Sequence, residues 1–188
     1  MTKNIMIVGV GGQGTLLASR IIGSAVIKKG YDVKISEVHG MSQRGGSVVT
    51  YVKFGDKVYS PIIDKGEADI ILAFEMLEAL RSLPFLKKGG KMIANTQEMD
   101  PMPVICGNAE YPSDIAKKLS EKVSLTAVDA LKIAEEAGNI KAVNVALIGL
   151  MAKNTDIEYE VWIDCLKQNV PEKFLDANLK AFDLAYNM

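Results

Sequence analysis

Ile5-Met6-Ile7-Val8-Gly9-Val10-Gly11-Gly12-Gln13-Gly14-Thr15 is the stretch that decides the fold. A strand-type apolar run, a glycine loop and a long amphipathic stretch follow one another without a gap. Doubly wound α/β domains that bind a phosphate-bearing ligand open in this way. In that frame Gly9 permits a tight turn, Gly11 lets the backbone approach a ligand, and Gly14 lets the next helix pack on the strand. The helix N-terminus then presents unpaired N–H groups and a positive dipole end to an anion. The candidate cofactor-binding residues are therefore Gly9, Gly11, Gly12, Gln13, Gly14 and Thr15. A tight strand-to-helix turn that binds nothing is the competing reading of the same residues.

Outward from this loop, helical spacing of Leu16, Leu17, Ile21, Ile22, Ala25 and Val26 predicts a helix from about Gln13 to Lys29, stopped by Gly30. Alternation predicts strands over Tyr31 to Val38 and Ser47 to Phe54. Gly55-Asp56 then reads as a turn, with Lys57 to Ser60 pairing back as a hairpin. Ala68 to Phe74 is a further buried strand, followed by a helix over Glu75 to Leu83. Gly89-Gly90 reads as a turn into a strand over Lys91 to Asn95, and Val104 to Cys106 as a short strand. Ser113 is the expected N-cap of the next helix. Val123 to Val128 is the last strand; Asp129 caps a helix over Ala130 to Ala137, which Gly138 ends. Ala142 to Lys153 is nearly all apolar, destined for the core or for a partner. Two amphipathic helices, Glu158 to Gln168 and Glu172 to Tyr186, follow.

The fold class is thus α/β: a Rossmann-like, doubly wound, mostly parallel sheet, mixed by a hairpin, with a C-terminal helical segment. At 188 residues the chain reads as one domain, 1–188, with an α/β core over 1–140 and a helical extension over 141–188. With 22 basic and 23 acidic residues the formal net charge is −1, which excludes a basic nucleic-acid surface or polybasic membrane patch. No apolar run approaches the length of a membrane span. Cys106 and Cys165 stand far apart, which excludes a cluster or zinc site of CxxC type within this chain, and a reducing cytoplasm is the expected location.

A second unusual stretch is Glu37-Val38-His39-Gly40-Met41-Ser42-Gln43-Arg44-Gly45-Gly46-Ser47. It is polar, holds the chain's only histidine, and follows the second strand, so it belongs beside the Gly9–Gly14 loop. Arg44 suits a phosphate or carboxylate. His39 suits a proton transfer or a hydrogen bond to a ligand, or is satisfied by backbone groups; a lone histidine makes no metal site. Glu37, 23 residues after Gly14, stands where dinucleotide-binding domains keep an acid for a ribose hydroxyl, which sustains a stand-alone NAD- or FAD-binding module as the alternative. Methionines in loops (Met41, Met99, Met102) hint at surface covered by another subunit.

The glycine loop together with Glu37 to Val48 resembles the gamma-type subunits of 2-oxoacid:ferredoxin oxidoreductases, and the wording EVHGMSQRGGSV is most similar to their indolepyruvate branch. The resemblance spans nearly the whole chain. It implies oxidative decarboxylation of a 2-oxoacid, arylpyruvate in this branch, to an acyl-CoA with reduction of ferredoxin. Thiamine diphosphate and 4Fe-4S clusters are then expected on a large partner subunit, and this chain alone is inactive; whether it is a monomer or a homodimer when isolated stays open. Coenzyme A becomes the ligand implied for the glycine loop. His39, Gln43 and Arg44 become candidate catalytic residues lining the partner's active site.

Overall fold

The computed structural model describes residues 2–40 and 45–188. Six strands, β1 (Lys3–Val10), β2 (Asp32–His39), β3 (Ser47–Gly55), β4 (Ala68–Ala73), β5 (Leu86–Asn95) and β6 (Ser124–Val128), form one sheet of order β2-β3-β1-β4-β5-β6. β1, β4, β5 and β6 pair in parallel, whereas β3 runs antiparallel to both β1 and β2. The sheet is therefore mixed, as expected, but through a different pairing. The hairpin joins β2 to β3, and Lys57 to Ser60 forms no strand. β1 and β2 occupy both edges of β3, so no edge remains for a returning segment. Val58 instead donates its N–H to the Asp32 carboxylate (2.9 Å).

Helices cover both faces. α1 (Thr15–Lys28) follows β1, and α2 (Met76–Ser82) follows β4. Two short helices, α3 (Met102–Ile105) and α4 (Ile115–Ser120), separate β5 from β6, and α5 (Ala130–Ala137), α6 (Val143–Ala152), α7 (Tyr159–Asn169) and α8 (Glu172–Tyr186) end the described chain. The alternation of β1 sends Ile5 and Ile7 into the larger core with α1 and α5 to α8, and Met6 and Val8 into the smaller one with α2 and α4. Since α1 and α2 lie on opposite faces, β1 and β4 flank the topological switch point of the sheet.

α6 answers the question its composition posed. Every residue from Asn144 to Ala152 is buried, and the helix packs chiefly on α8. Trp162 of α7 and Phe182 of α8 are fully buried beside it. Caps close several helices as the sequence predicts. Asp129 accepts from the N–H of Lys132 (3.0 Å), and Gly138 ends α5 in the left-handed region.

Three local expectations are corrected. Met102 to Ile105 is a helix, not a strand, because Pro103 fits a first helical turn and no sheet edge is offered. Asp114, with φ of 56°, is the residue that enters α4; Ser113 lies one position too early to cap it. β5 starts at Leu86 and runs through Gly89-Gly90, where its pairing with β4 shifts register. A Cβ on Gly90 would stand 3.0 Å from the Ala68 carbonyl oxygen, so the glycine serves an irregular strand rather than a turn.

Gly149 marks the closest approach of α6 and α8: a Cβ there would stand 2.6 Å from the Phe182 carbonyl oxygen. Gly149→Ala is expected to lower stability by about 1–3 kcal/mol through overpacking, despite the better helix propensity of alanine. A urea titration of both proteins measures it; an unchanged midpoint would show that the two helices part without cost.

Candidate functional site

The site forms where β1 ends. The positive φ values fall at Gly12 (101°) and Gly14 (87°), so these two, not Gly9, make the turn. Gly9 belongs to the strand and serves close packing. A Cβ there would stand 2.8 Å from the Gln13 Oε1 and 3.0 Å from the Phe74 Cβ. Gln13 points inward over the switch point. Its Oε1 accepts from the Val10 N–H (2.7 Å), and its Nε2 donates to the Phe74 carbonyl (3.1 Å) and to Gln97 Oε1 (3.3 Å). Gly14 makes room for α6 rather than for the strand: a Cβ would stand 2.7 Å from Asn144 Nδ2.

α1 begins at Gly14 with no side-chain cap and no acidic residue in its first turn. The N–H groups of Thr15, Leu16 and Leu17 precede the first intrahelical acceptor and face outward with the positive end of the dipole. Thr15 is 6% exposed, yet its hydroxyl has no hydrogen-bond partner among the described residues. Its methyl faces Gly9, 3.4 Å from where a Cβ would be.

Two clefts meet at this turn. The first, of about 350 Å³, is bounded by Gly11, Thr15, Leu16, Glu37, His39 and Val48. The second, of about 500 Å³, is bounded by Gln97, Leu131, Ile140, Lys141 and Asn144. Gly12 and Gly14 line both. The loop after β2 does reach the glycine turn, since Gly11 N–H donates to the Gly46 carbonyl (2.9 Å). The Glu37 carboxylate accepts from the Thr50 hydroxyl (3.1 Å). The His39 Nδ1 lies 3.3 Å from the Gly40 carbonyl oxygen, and no described side chain pairs with it for proton transfer. Gln43 and Arg44 lie outside the described residues.

Behind the turn is a buried polar cluster that the sequence did not announce. Glu75 and Glu78 are 1% and 4% exposed. Glu75 accepts from the N–H groups of Glu78 (2.9 Å) and Met99 (3.0 Å) and from the Tyr111 hydroxyl (2.5 Å). Glu78 accepts from the Ser47 hydroxyl (2.6 Å) and from Arg81 (2.6 Å). Burial first, and then the bond to Glu75, hold the Tyr111 phenol well above the usual tyrosine range. The cluster fixes the start of β3 and the 97–111 segment against α2. A carboxylate directly after the apolar strand Ala68 to Phe74 was the one available signal.

The family model for pyruvate ferredoxin/flavodoxin oxidoreductase matches residues 4–188. The indolepyruvate oxidoreductase subunit IorB of Pyrococcus horikoshii is 46% identical over 96% of this chain and 93% of that protein. The pyruvate/ketoisovalerate oxidoreductases common subunit gamma of Thermococcus kodakarensis is 28% identical over 95% of this chain and 92% of that protein. The keto/oxoacid ferredoxin oxidoreductase gamma subunit of Geobacter sulfurreducens has the same fold, with a TM-score of 0.74 at 24% identity over 98% of this chain and 96% of that one. So does part of 2-oxoglutarate:ferredoxin oxidoreductase from Magnetococcus marinus, solved with 2-oxoglutarate, coenzyme A and succinyl-CoA bound (TM-score 0.72, 18% identity, 99% of this chain, 30% of that chain).

The raised phenol of Tyr111 gives a signed pH dependence. Below about pH 10 the tyrosine is protonated in both folded and unfolded chains and contributes no slope. Above it the unfolded chain ionises first and stability is lost. The stability of the unsubstituted protein over Tyr111→Phe, about 1–2 kcal/mol for the lost hydrogen bonds, is expected to be constant below pH 10 and to shrink above it. Urea midpoints of both proteins between pH 8 and 11 check this; a gap that widens with pH contradicts it.

Proposed function

The chain belongs to the pyruvate ferredoxin/flavodoxin oxidoreductase family, and from that premise we propose that it is the small subunit of an arylpyruvate-oxidising, indolepyruvate-type ferredoxin oxidoreductase. The observation that carries this reading is the contrast in identity, 46% to an indolepyruvate subunit against 28% to a pyruvate/ketoisovalerate gamma subunit over similar lengths. A large partner subunit holds thiamine diphosphate, which supplies the chemistry of decarboxylation, and the 4Fe-4S clusters that pass electrons to ferredoxin. This chain's own residues do not fit a cluster: of its two cysteines Cys106 is exposed and Cys165 is buried in α7. No described helix is long and apolar enough to cross a membrane, in keeping with an enzyme of the cytoplasm.

The contribution of this chain is binding and enclosure. The N–H groups of Gly12, Gly14, Thr15 and Leu16 and the free Thr15 hydroxyl suit the diphosphate of coenzyme A. His39, Gln43 and Arg44 are the candidate residues for the partner's active site, Arg44 to counter substrate charge and His39 or Gln43 to donate hydrogen bonds. No proton-transfer step is assigned to His39. The stand-alone NAD or FAD module finds no support, since the relatives that match this chain nearly end to end are oxidoreductase subunits.

Purification under anaerobic conditions, with this chain as bait from its own cells, is the direct test. The expected product is a brown complex with a large subunit containing thiamine diphosphate and iron–sulfur clusters, which reduces ferredoxin faster with indolepyruvate than with pyruvate. A colourless chain without a stoichiometric partner, or a complex that prefers pyruvate, overturns the proposal. Within the active complex, Arg44→Ala is expected to raise the KM for coenzyme A or for the oxoacid about tenfold, as loss of one charge-assisted contact implies. Unchanged constants for both would remove Arg44 from the site.

A further inference from the structure

The segment between β5 and α4 carries apolar side chains outward. Met102 and Ile105, on the single turn of α3, are 64% and 66% exposed, and neither packs on either core of the described residues. Pro103 and Cys106 beside them are exposed as well. Isolated exposed apolar residues are ordinary, but four within five positions make a patch. The patch is flanked by acids. Glu98, Asp100 and Glu110 are exposed and pair with no cation among the described residues. No lysine, arginine or histidine occurs between Thr96 and Ala116.

The patch is also held in place. The buried Glu75 carboxylate accepts from the Met99 N–H before it (3.0 Å) and from the Tyr111 hydroxyl after it (2.5 Å). Met76 donates its N–H to the Gln97 carbonyl (3.0 Å), and Leu77 donates its own to the Tyr111 oxygen (3.1 Å). Within the segment, Ile105 N–H donates to the Pro101 carbonyl (3.1 Å) and Cys106 N–H to the Met102 carbonyl (2.9 Å). None of these bonds uses the exposed apolar side chains. The fold thus fixes an apolar knob that adds nothing to its own core, and a surface fixed in advance loses little freedom on association. The knob follows β5 at the carboxyl end of the parallel strands, the end that carries the glycine turn and His39.

The acids decide the occupant. A second copy docked about a two-fold axis would set the acids of one knob against those of the other. We propose that α3 and its acidic flank are the docking anchor for the large subunit, whose matching surface is an apolar socket rimmed by lysine or arginine. Docking here places the partner over the end of the sheet where His39 stands. The anchor is the hot spot of a wider contact, since stable interfaces bury about 800 Å² on each side. This rests on the reading of the chain as the small subunit of a larger enzyme.

The test measures, without oxygen, the Kd of the full chain for the separately purified large subunit. The unsubstituted protein is compared with Met102→Ser/Ile105→Ser, with Asp100→Asn/Glu110→Gln and with Ile27→Ser, which removes an apolar side chain of similar exposure (59%) on α1. Urea midpoints matching that of the unsubstituted protein establish that each variant is folded. The apolar pair is expected to raise Kd about thirtyfold, the size of a hot-spot loss. The acidic pair is expected to raise it about threefold to tenfold and to weaken its dependence on salt. Ile27→Ser is expected to leave it within about twofold. Unchanged Kd for the apolar pair, or an equal loss in Ile27→Ser, overturns the anchor while the subunit reading stands. So does sedimentation in which the unsubstituted chain self-associates and the apolar pair does not, since the knob is then a contact between copies. If the unsubstituted chain does not bind the large subunit, the subunit reading falls and the anchor with it.

Discussion

The architecture depends on where β3 goes. Inserted between β2 and β1 and antiparallel to both, it starts at the carboxyl end of its neighbours. Its first residue, Ser47, pairs with Val10, the last residue of β1. The loop after β2 therefore cannot leave that end of the sheet, as it would if a helix followed. It must turn back beside the glycine turn, and the Gly11–Gly46 hydrogen bond records that proximity. A plain βαβ succession would have given two separate strand-end loops. This topology gives one joined rim, with Glu37 and His39 on its outer side.

What the rim encloses is set by two inward-facing side chains. Gln13 ties β1 to β4 and to the segment after β5, so the turn is held from beneath. Glu75 holds the same post-β5 segment through Met99 and Tyr111. Both side chains spend their polar atoms on backbone or on neighbouring loops, which makes the site rigid without supplying chemistry. That division fits a subunit that binds and encloses while its partner carries the reactive groups.

Much of this was legible where the signal is local. Gly30 and Gly138 end helices, Asp129 begins one, and the apolar run of β1 and the alternation of β2 and β3 showed as strands. The glycine turn was legible as a motif, although its parts were misassigned: Gly9 reads as a turn residue in any such pattern, and only the position of Gln13 shows that it yields space instead. Pairing was not legible. Lys57 to Ser60 satisfies the hairpin pattern as well as Ser47 to Gly55 does, and nothing within either segment states that β1 will take the free edge. Nor was the Glu75–Tyr111 contact, whose partners lie 36 residues apart in sequence. A buried carboxylate has the same letter as an exposed one, and burial is decided by segments elsewhere.

The packing of α6 also sets an order in time. α6 is apolar around its whole circumference, and α8 covers much of it. The ribosome delivers the entire sheet first, then α6, and α8 only afterwards. In that interval the larger face of the sheet carries an open helix and cannot complete its core, so the nascent chain presents a sticky surface that its own next segments must quench. Synthesis rate through the α7 region thus governs how long the chain is vulnerable to association with other nascent chains.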